Sequence, residues 1–190
     1  SNSMIKLPPL VLASGSPRRA EILNSVGWSF TKSTPDIDES ERPNELPEDY
    51  VRRLATEKAN AVAHLHSDAL ILAADTTVVI HGTILGKPVD LDDARRMLRI
   101  LSGHWHDVLT GVAVSQNGNL KVAMERTGVK FIEMTEAEIE FLAHMGNPLD
   151  KAGAYAVQAQ AALFIDAING DYWNVVGLPV KLVYKMIQSE

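Results

Sequence analysis

Several charged side chains in this chain sit where an ordinary surface residue is not needed. In LVLASGSPRRAEIL, residues 10–23, a short apolar run gives way to Ser14, Gly15, Ser16 and Pro17, then to Arg18 and Arg19 before a helical pattern begins. Small residues after a strand let the backbone approach a ligand. The start of a helix offers free N–H groups and the positive end of its dipole, and two guanidinium groups add full charges. Together they describe a phosphate site; a surface turn with solvated arginines is the competing reading. The loop is not a P-loop, because the GxxxxGK[ST] pattern is absent.

Other positions lean the same way. Asp75 follows ILAA, and an Asp at the end of a buried strand is costly to desolvate unless it is paired, metal-bound or functional. Lys58 falls on the apolar stripe of a helix, where its amine either snorkels to solvent or reaches a site. Lys87 stands in the Gly/Pro loop LGKP. The acidic run PDIDESE, residues 35–41, is either solvated or brings Asp38 or Glu39 to a hard cation. His104 and His106 flank Trp105 with strand-like alternation but lack a third ligand of evident spacing. His64 and His66 suit a helix C-terminus. No G-x-S-x-G elbow accompanies Ser14 or Ser16, which sets a serine hydrolase aside.

These residues need a scaffold, and the apolar periodicity predicts an α/β one. Leu10 to Ala13 reads as a buried strand, followed by a helix that opens at Pro17 with Ala20, Ile22, Leu23 and Val26 along it. Residues 31–47 read as a loop. Val51, Leu54, Ala55, Lys58, Ala61, Val62 and Leu65 then share one helical face after Pro47. The segment 69–80, ALILAADTTVVI, predicts one or two central strands interrupted at Asp75-Thr76-Thr77. Asp90 is an expected N-cap for a helix burying Ala94, Met97, Leu98 and Leu101. Asn117-Gly118-Asn119 signals a hairpin between two strands. Thr135 and Glu138 have capping-box spacing, with Gly146 as a stop. A strand near 161–168, an Asn169-Gly170 turn and a helix after Pro179 complete the pattern.

Composition bounds the function. The chain has 190 residues with 46% hydrophobic and 22% charged, ordinary for a soluble chain and suited to one domain. Its formal net charge of −6 argues against wrapping DNA or RNA while leaving room for a small anion in a local basic pocket. The absence of cysteine removes disulfides, thiolate metal sites and a Cys nucleophile. No apolar run is long enough to span a membrane, and no signal-like segment follows Met4, so a cytoplasmic location is expected. Ser1-Asn2-Ser3 is expected to be a remnant of expression, with one α/β domain over residues 4–190.

The separated stretches LASGSPRR, EKA, AADT, GKP, LSGHWHDVLTGVAV, PLDKAGAYAVQ and INGDYWNVVGLP occur in one order along nearly the whole chain. In them the sequence resembles the Maf family of nucleoside triphosphate pyrophosphatases. The resemblance implies an elongated α/β fold with a mixed sheet flanked by helices and a deep cleft, similar to that of inosine triphosphate pyrophosphatases, and often a homodimer. It also implies hydrolysis of a nucleoside triphosphate to monophosphate and pyrophosphate with a divalent cation, Mg²⁺ or Mn²⁺. The implied site uses Ser14, Arg18, Arg19, Lys58, Lys87 and Gln158 toward the substrate together with Glu39 and Asp75; the chemistry of a repelling triphosphate makes these two the candidate catalytic and metal-holding carboxylates, with Asp75 expected at the attacking water. The Gln158 form resembles the subgroup acting on dTTP and UTP, and one amide offers both donors and an acceptor to a pyrimidine edge. Ala156, Ala159 and Ala162 stand where the family often has Gly, so a loop needing positive φ would be strained there. A 7-methyl-GTP or inosine triphosphate enzyme, and a nucleotide-binding regulator of septum formation, are the alternatives.

Overall fold

A computed structural model describes residues 7–188; the expected expression remnant at Ser1-Asn2-Ser3 lies outside them. The order of elements is β1 (Leu10–Leu12), α1 (Pro17–Ser25), β2 (Thr31–Lys32), α2 (Pro47–Ala63), β3 (Leu70–Ile80), β4 (Thr83–Leu85), α3 (Leu91–Leu101), β5 (Trp105–Gln116), β6 (Asn119–Phe131), α4 (Glu136–Met145), β7 (Ile165–Asn169), α5 (Tyr172–Val176) and α6 (Val180–Gln188). The strands form one mixed seven-stranded sheet ordered β2-β1-β3-β5-β6-β7, with β4 also on β3. β1 pairs in parallel with β2 and β3, and the other pairings are antiparallel.

The two sides of β3 differ. β5 lies along one edge from Ile71 to Val79, whereas the other edge is shared: β1 pairs with Leu70–Leu72 and β4 with Val78–Ile80. Between them, residues 73–77 have no strand neighbour on that side, so the sheet carries a window at its centre. Alternation along the strand sends Leu70, Leu72, Ala74 and Val78 into the larger core under α1, α3, α4 and α6, and Ile71 and Ala73 into a second cluster under α2. The α2 face needs one exceptionally close approach. Gly111 of β5 has no side chain, and a Cβ there would lie 2.2 Å from the Val51 carbonyl oxygen.

Local signals are met where the chemistry is local. Ser16 accepts from the Arg19 N–H and Asp90 from the Asp93 N–H, and Thr135 with Glu138 forms the full capping box. Helix α3 buries Ala94, Met97, Leu98 and Leu101 as expected. Asn117 and Gly118 both have positive φ, 52° and 78°, the type I′ turn that matches strand twist.

Four expectations are corrected. β3 is a single eleven-residue strand that runs through Asp75, because Lys58 meets the carboxylate and the backbone pairs with β5 throughout. Thr31–Lys32 inside the expected loop is a short strand on β1. The last strand is Ile165–Asn169, since Gln160–Leu163 coils into a 3₁₀ turn. In α2 it is Ala59 that completes the buried stripe, while Leu65 lies beyond the helix and is exposed.

Candidate active site

A cleft of about 670 Å³ opens at the window in the sheet. The loop after β1 and the first turn of α1 bring Ser14, Arg18 and Arg19; the acidic loop brings Glu39; α2 brings Lys58; β3 brings Asp75; and the loop after β4 brings Lys87. Seven of the eight residues singled out in the sequence therefore line one cavity. Gln158 does not line it and is exposed. Thr76, Lys151 and Tyr155, which sequence reasoning passed over, do.

Strand parity divides the site. Asp75 faces α2, where its Oδ1 accepts from Lys58 Nζ at 2.8 Å; the same ammonium reaches Glu39 Oε1 at 3.0 Å and the Ala74 carbonyl at 3.4 Å. Thr76, one residue on, faces α1. Its hydroxyl accepts from Arg19 NH2 at 3.0 Å and lies 2.8 Å from the Thr110 hydroxyl. Arg19 also donates from Nε to the Gly177 carbonyl at 2.8 Å and from NH1 to Ser14 Oγ at 3.4 Å.

The electrostatics are lopsided. Burial raises the Asp75 pKa above the usual carboxylate value, with Lys58 and then Arg19 opposing the shift. Burial also works to raise Glu39, but Lys58, Lys87 and Arg19 together hold it below its ordinary value. Arg19 is only 8% exposed and forms no ion pair among the described residues; its partners are neutral oxygens. Burial lowers its pKa, opposed by Asp75, yet a guanidinium stays charged. Lys87 is likewise without an ion pair or hydrogen bond among the described residues, whereas Arg18 is paired at 3.7 Å with Asp150. The buried Arg19 charge is met by neutral oxygens alone, an arrangement chemically suited to a small anion.

The acidic loop is fastened to α2. Tyr50 donates its hydroxyl to the Glu39 carbonyl at 2.5 Å, and Arg53 reaches the Ser40 carbonyl at 2.9 Å and Glu45 at 2.6 Å. Glu39 and Asp75 suit Mg²⁺ or Mn²⁺ when the phosphates of a substrate supply further oxygens. Among the described residues no group of three or more His, Cys, Asp or Glu is arranged to hold a metal ion.

The two histidines that flank Trp105 separate. His104 is exposed, with Nδ1 2.6 Å from the Ser102 carbonyl. His106 is buried, 2.6 Å from the Tyr155 hydroxyl through Nε2 and stacked on Phe131. Burial lowers its pKa to about 4 from the usual 6.5. A lowered value means the unfolded chain takes up the proton first, so stability is lost as pH falls from about 6.5 toward 4. A shift of this size corresponds to about 3 kcal/mol. Urea unfolding across that range should show the loss in the parent chain and a flatter profile in His106→Gln.

In the loop carrying Tyr155, positive φ falls on Gly153 and Ala154, at 67° and 70°. Ala159 has φ −116°, and Ala156 is not among the positive-φ residues, so these alanines need no glycine. The strain sits instead at Ala154, at a cost of about 1 kcal/mol.

A mixed sheet with a central window and a cleft lined by cations and two carboxylates defines the class as an α/β protein with an enzyme-like site. The chain belongs to the Maf family: the family described as Maf-like protein matches residues 9–190. It is 51% identical over 174 residues to the dTTP/UTP pyrophosphatase of Hahella chejuensis, covering 90% of this chain and 87% of the relative. With the dTTP/UTP pyrophosphatase of Symbiobacterium thermophilum it shares 46% over 178 residues, 94% of this chain and 92% of the other. The solved structure of the Staphylococcus aureus Ham1 protein superposes with a TM-score of 0.52 at 14% identity, over 93% of this chain and 99% of that one, a likeness of fold. No helix among the described residues is long and apolar enough to cross a membrane.

Proposed function

We infer that this protein is a nucleoside triphosphate pyrophosphatase that cleaves dTTP and UTP to the monophosphate and pyrophosphate. The observation that carries the reading is Arg19: a buried guanidinium on the cleft wall with neutral partners only, beside an unpaired Lys87. Relatives of the same family with 44–51% identity carry the dTTP/UTP pyrophosphatase name.

In the proposed mechanism the phosphates lie against Ser14, Arg18, Arg19 and Lys87, at the positive end of the α1 dipole. These cations neutralise charge that repels an incoming nucleophile and stabilise charge developing on the departing pyrophosphate. Asp75 accepts the proton of a water that attacks the α-phosphorus. The hydrogen bond from Lys58 fixes its orientation. Glu39 and Asp75 would hold the Mg²⁺ or Mn²⁺, which supplies Lewis-acid neutralisation of the phosphates when bound. Lys58 now spans both carboxylates, so it is the group that must give way or share them. For Gln158 to read the base, its segment must turn inward when the nucleotide binds. A cytoplasmic setting and a homodimer complete the proposal.

The test is pyrophosphate release from dTTP, UTP, CTP, 7-methyl-GTP and ITP with Mg²⁺ or Mn²⁺. The expected result is turnover of dTTP and UTP roughly a hundredfold more efficient than of ITP or 7-methyl-GTP. Preference for a purine nucleotide overturns the base assignment, and tight binding without turnover across the panel makes the protein a nucleotide-binding regulator.

A further inference from the structure

The segment INGDYWNVVGLP, residues 168–179, contributes no charged group to the phosphate site, yet it touches the residue on which that site depends. Arg19 has five N–H donors, three of which are taken by Gly177, Ser14 and Thr76, leaving two for a ligand. The shortest of the three bonds, 2.8 Å, runs from Nε to the Gly177 carbonyl. Because the guanidinium is planar, fixing Nε fixes the direction of the donors that remain.

Gly177 caps α5, a helix of five residues that is too short to hold its own place. Asn174 anchors it. This side chain is fully buried, and its Nδ2 lies 3.1 Å from the Val108 carbonyl, 3.4 Å from that of Glu125 and 3.0 Å from Thr127 Oγ1. Thr127 in turn donates to the Asp171 carbonyl at 3.1 Å, so the start and the middle of the short helix are tied to β5 and β6. No protein group among the described residues meets Asn174 Oδ1. Leaving a buried acceptor unpaired has a cost that an apolar side chain of similar size would avoid, so packing alone does not account for an Asn here.

We propose that Asn174 is a positioning residue for phosphate binding: by pinning the Asp171–Gly177 turn to the sheet it holds the Gly177 carbonyl where it aims the Arg19 fork into the cleft. The proposal rests on reading Arg19 as a phosphate ligand. Its test is pyrophosphate affinity by calorimetry for the parent, Asn174→Ala, Arg19→Ala and the double variant, with thermal melts alongside. Losing the alignment of one charge-assisted contact should weaken pyrophosphate about tenfold in Asn174→Ala and raise the KM for dTTP by the same factor, with a smaller change in kcat. In the Arg19→Ala background the second substitution should have no further effect.

A folded Asn174→Ala protein that binds pyrophosphate within about twofold of the parent overturns the proposal, as does a double variant whose loss is the product of the two single losses. Should Asn174→Ala fail to fold, Thr127→Val decides in its place, with about a threefold loss expected in the parent and none beside Arg19→Ala; unchanged affinity in the parent overturns the proposal. If Arg19→Ala itself leaves pyrophosphate binding intact, the phosphate reading of Arg19 fails and the proposal falls with it.

Discussion

Asp75→Asn is expected to lower the rate of pyrophosphate release from dTTP by about three orders of magnitude, in the range removed with a general base. The side chain keeps its shape, and Lys58 keeps Glu39 and the Ala74 carbonyl as partners, so the fold should survive. What is lost is the negative charge that, in the proposed mechanism, orients water and takes its proton. Pyrophosphate release under saturating nucleotide, with a thermal melt to confirm folding, reads the effect directly. Turnover within tenfold of the parent would move the base to Glu39, the other carboxylate on Lys58. Glu39 is the weaker candidate. Its side chain is half exposed, and the surrounding cations hold its pKa low, which makes it a poorer base.

The second large effect is on stability. Gly111→Ala would place a methyl group 2.2 Å from the Val51 carbonyl oxygen and 2.4 Å from its carbon, both backbone atoms of α2. Neither can rotate away, so the helix must lift from the sheet. Val51 and Leu109 would separate, and Lys58, further along the same helix, would move from Asp75. Overpacking that displaces backbone costs roughly 3–5 kcal/mol. Chemical denaturation should show that loss or no folded protein at all. If the variant folds, its activity falls too, because the ammonium is carried away from the carboxylate. A neutral result would mean that α2 sits further from β5 than the 2.2 Å approach implies.

Much of this architecture was legible because its causes are short-range. Asp90, Thr135 and Asn117-Gly118 act within three or four residues, so the helix starts and the hairpin follow from spacing. Asp75 and Lys58 were legible for a different reason: each is expensive in its apolar setting unless it has a task. The continuity of β3 was not legible, because an Asp in mid-strand resembles a break until its partner is known, and Lys58 lies 17 positions away. Thr76 carries no cost in a strand and so gave no signal; its meaning comes from Arg19, 57 positions earlier. Gly177 acts through a backbone carbonyl, which no side-chain pattern announces. Gln158 was identified through resemblance alone, and it is the one residue of the set that the cleft does not include.

The window in the sheet bears on how such a protein can change over time. Neighbouring residues of β3 serve opposite faces, Asp75 toward Lys58 and Thr76 toward Arg19, and the gap between β1 and β4 lets both reach the same space. On the proposed mechanism, proton transfer and anion recognition thereby depend on different helices from adjacent codons. A substitution on the α1 side can retune what is held without disturbing the base, and the reverse is also true. Insertion or deletion of a single residue between 70 and 75 would exchange the two roles at once and bury each in the wrong partner's territory. Diversification at this site is therefore open to point changes and closed to changes in length.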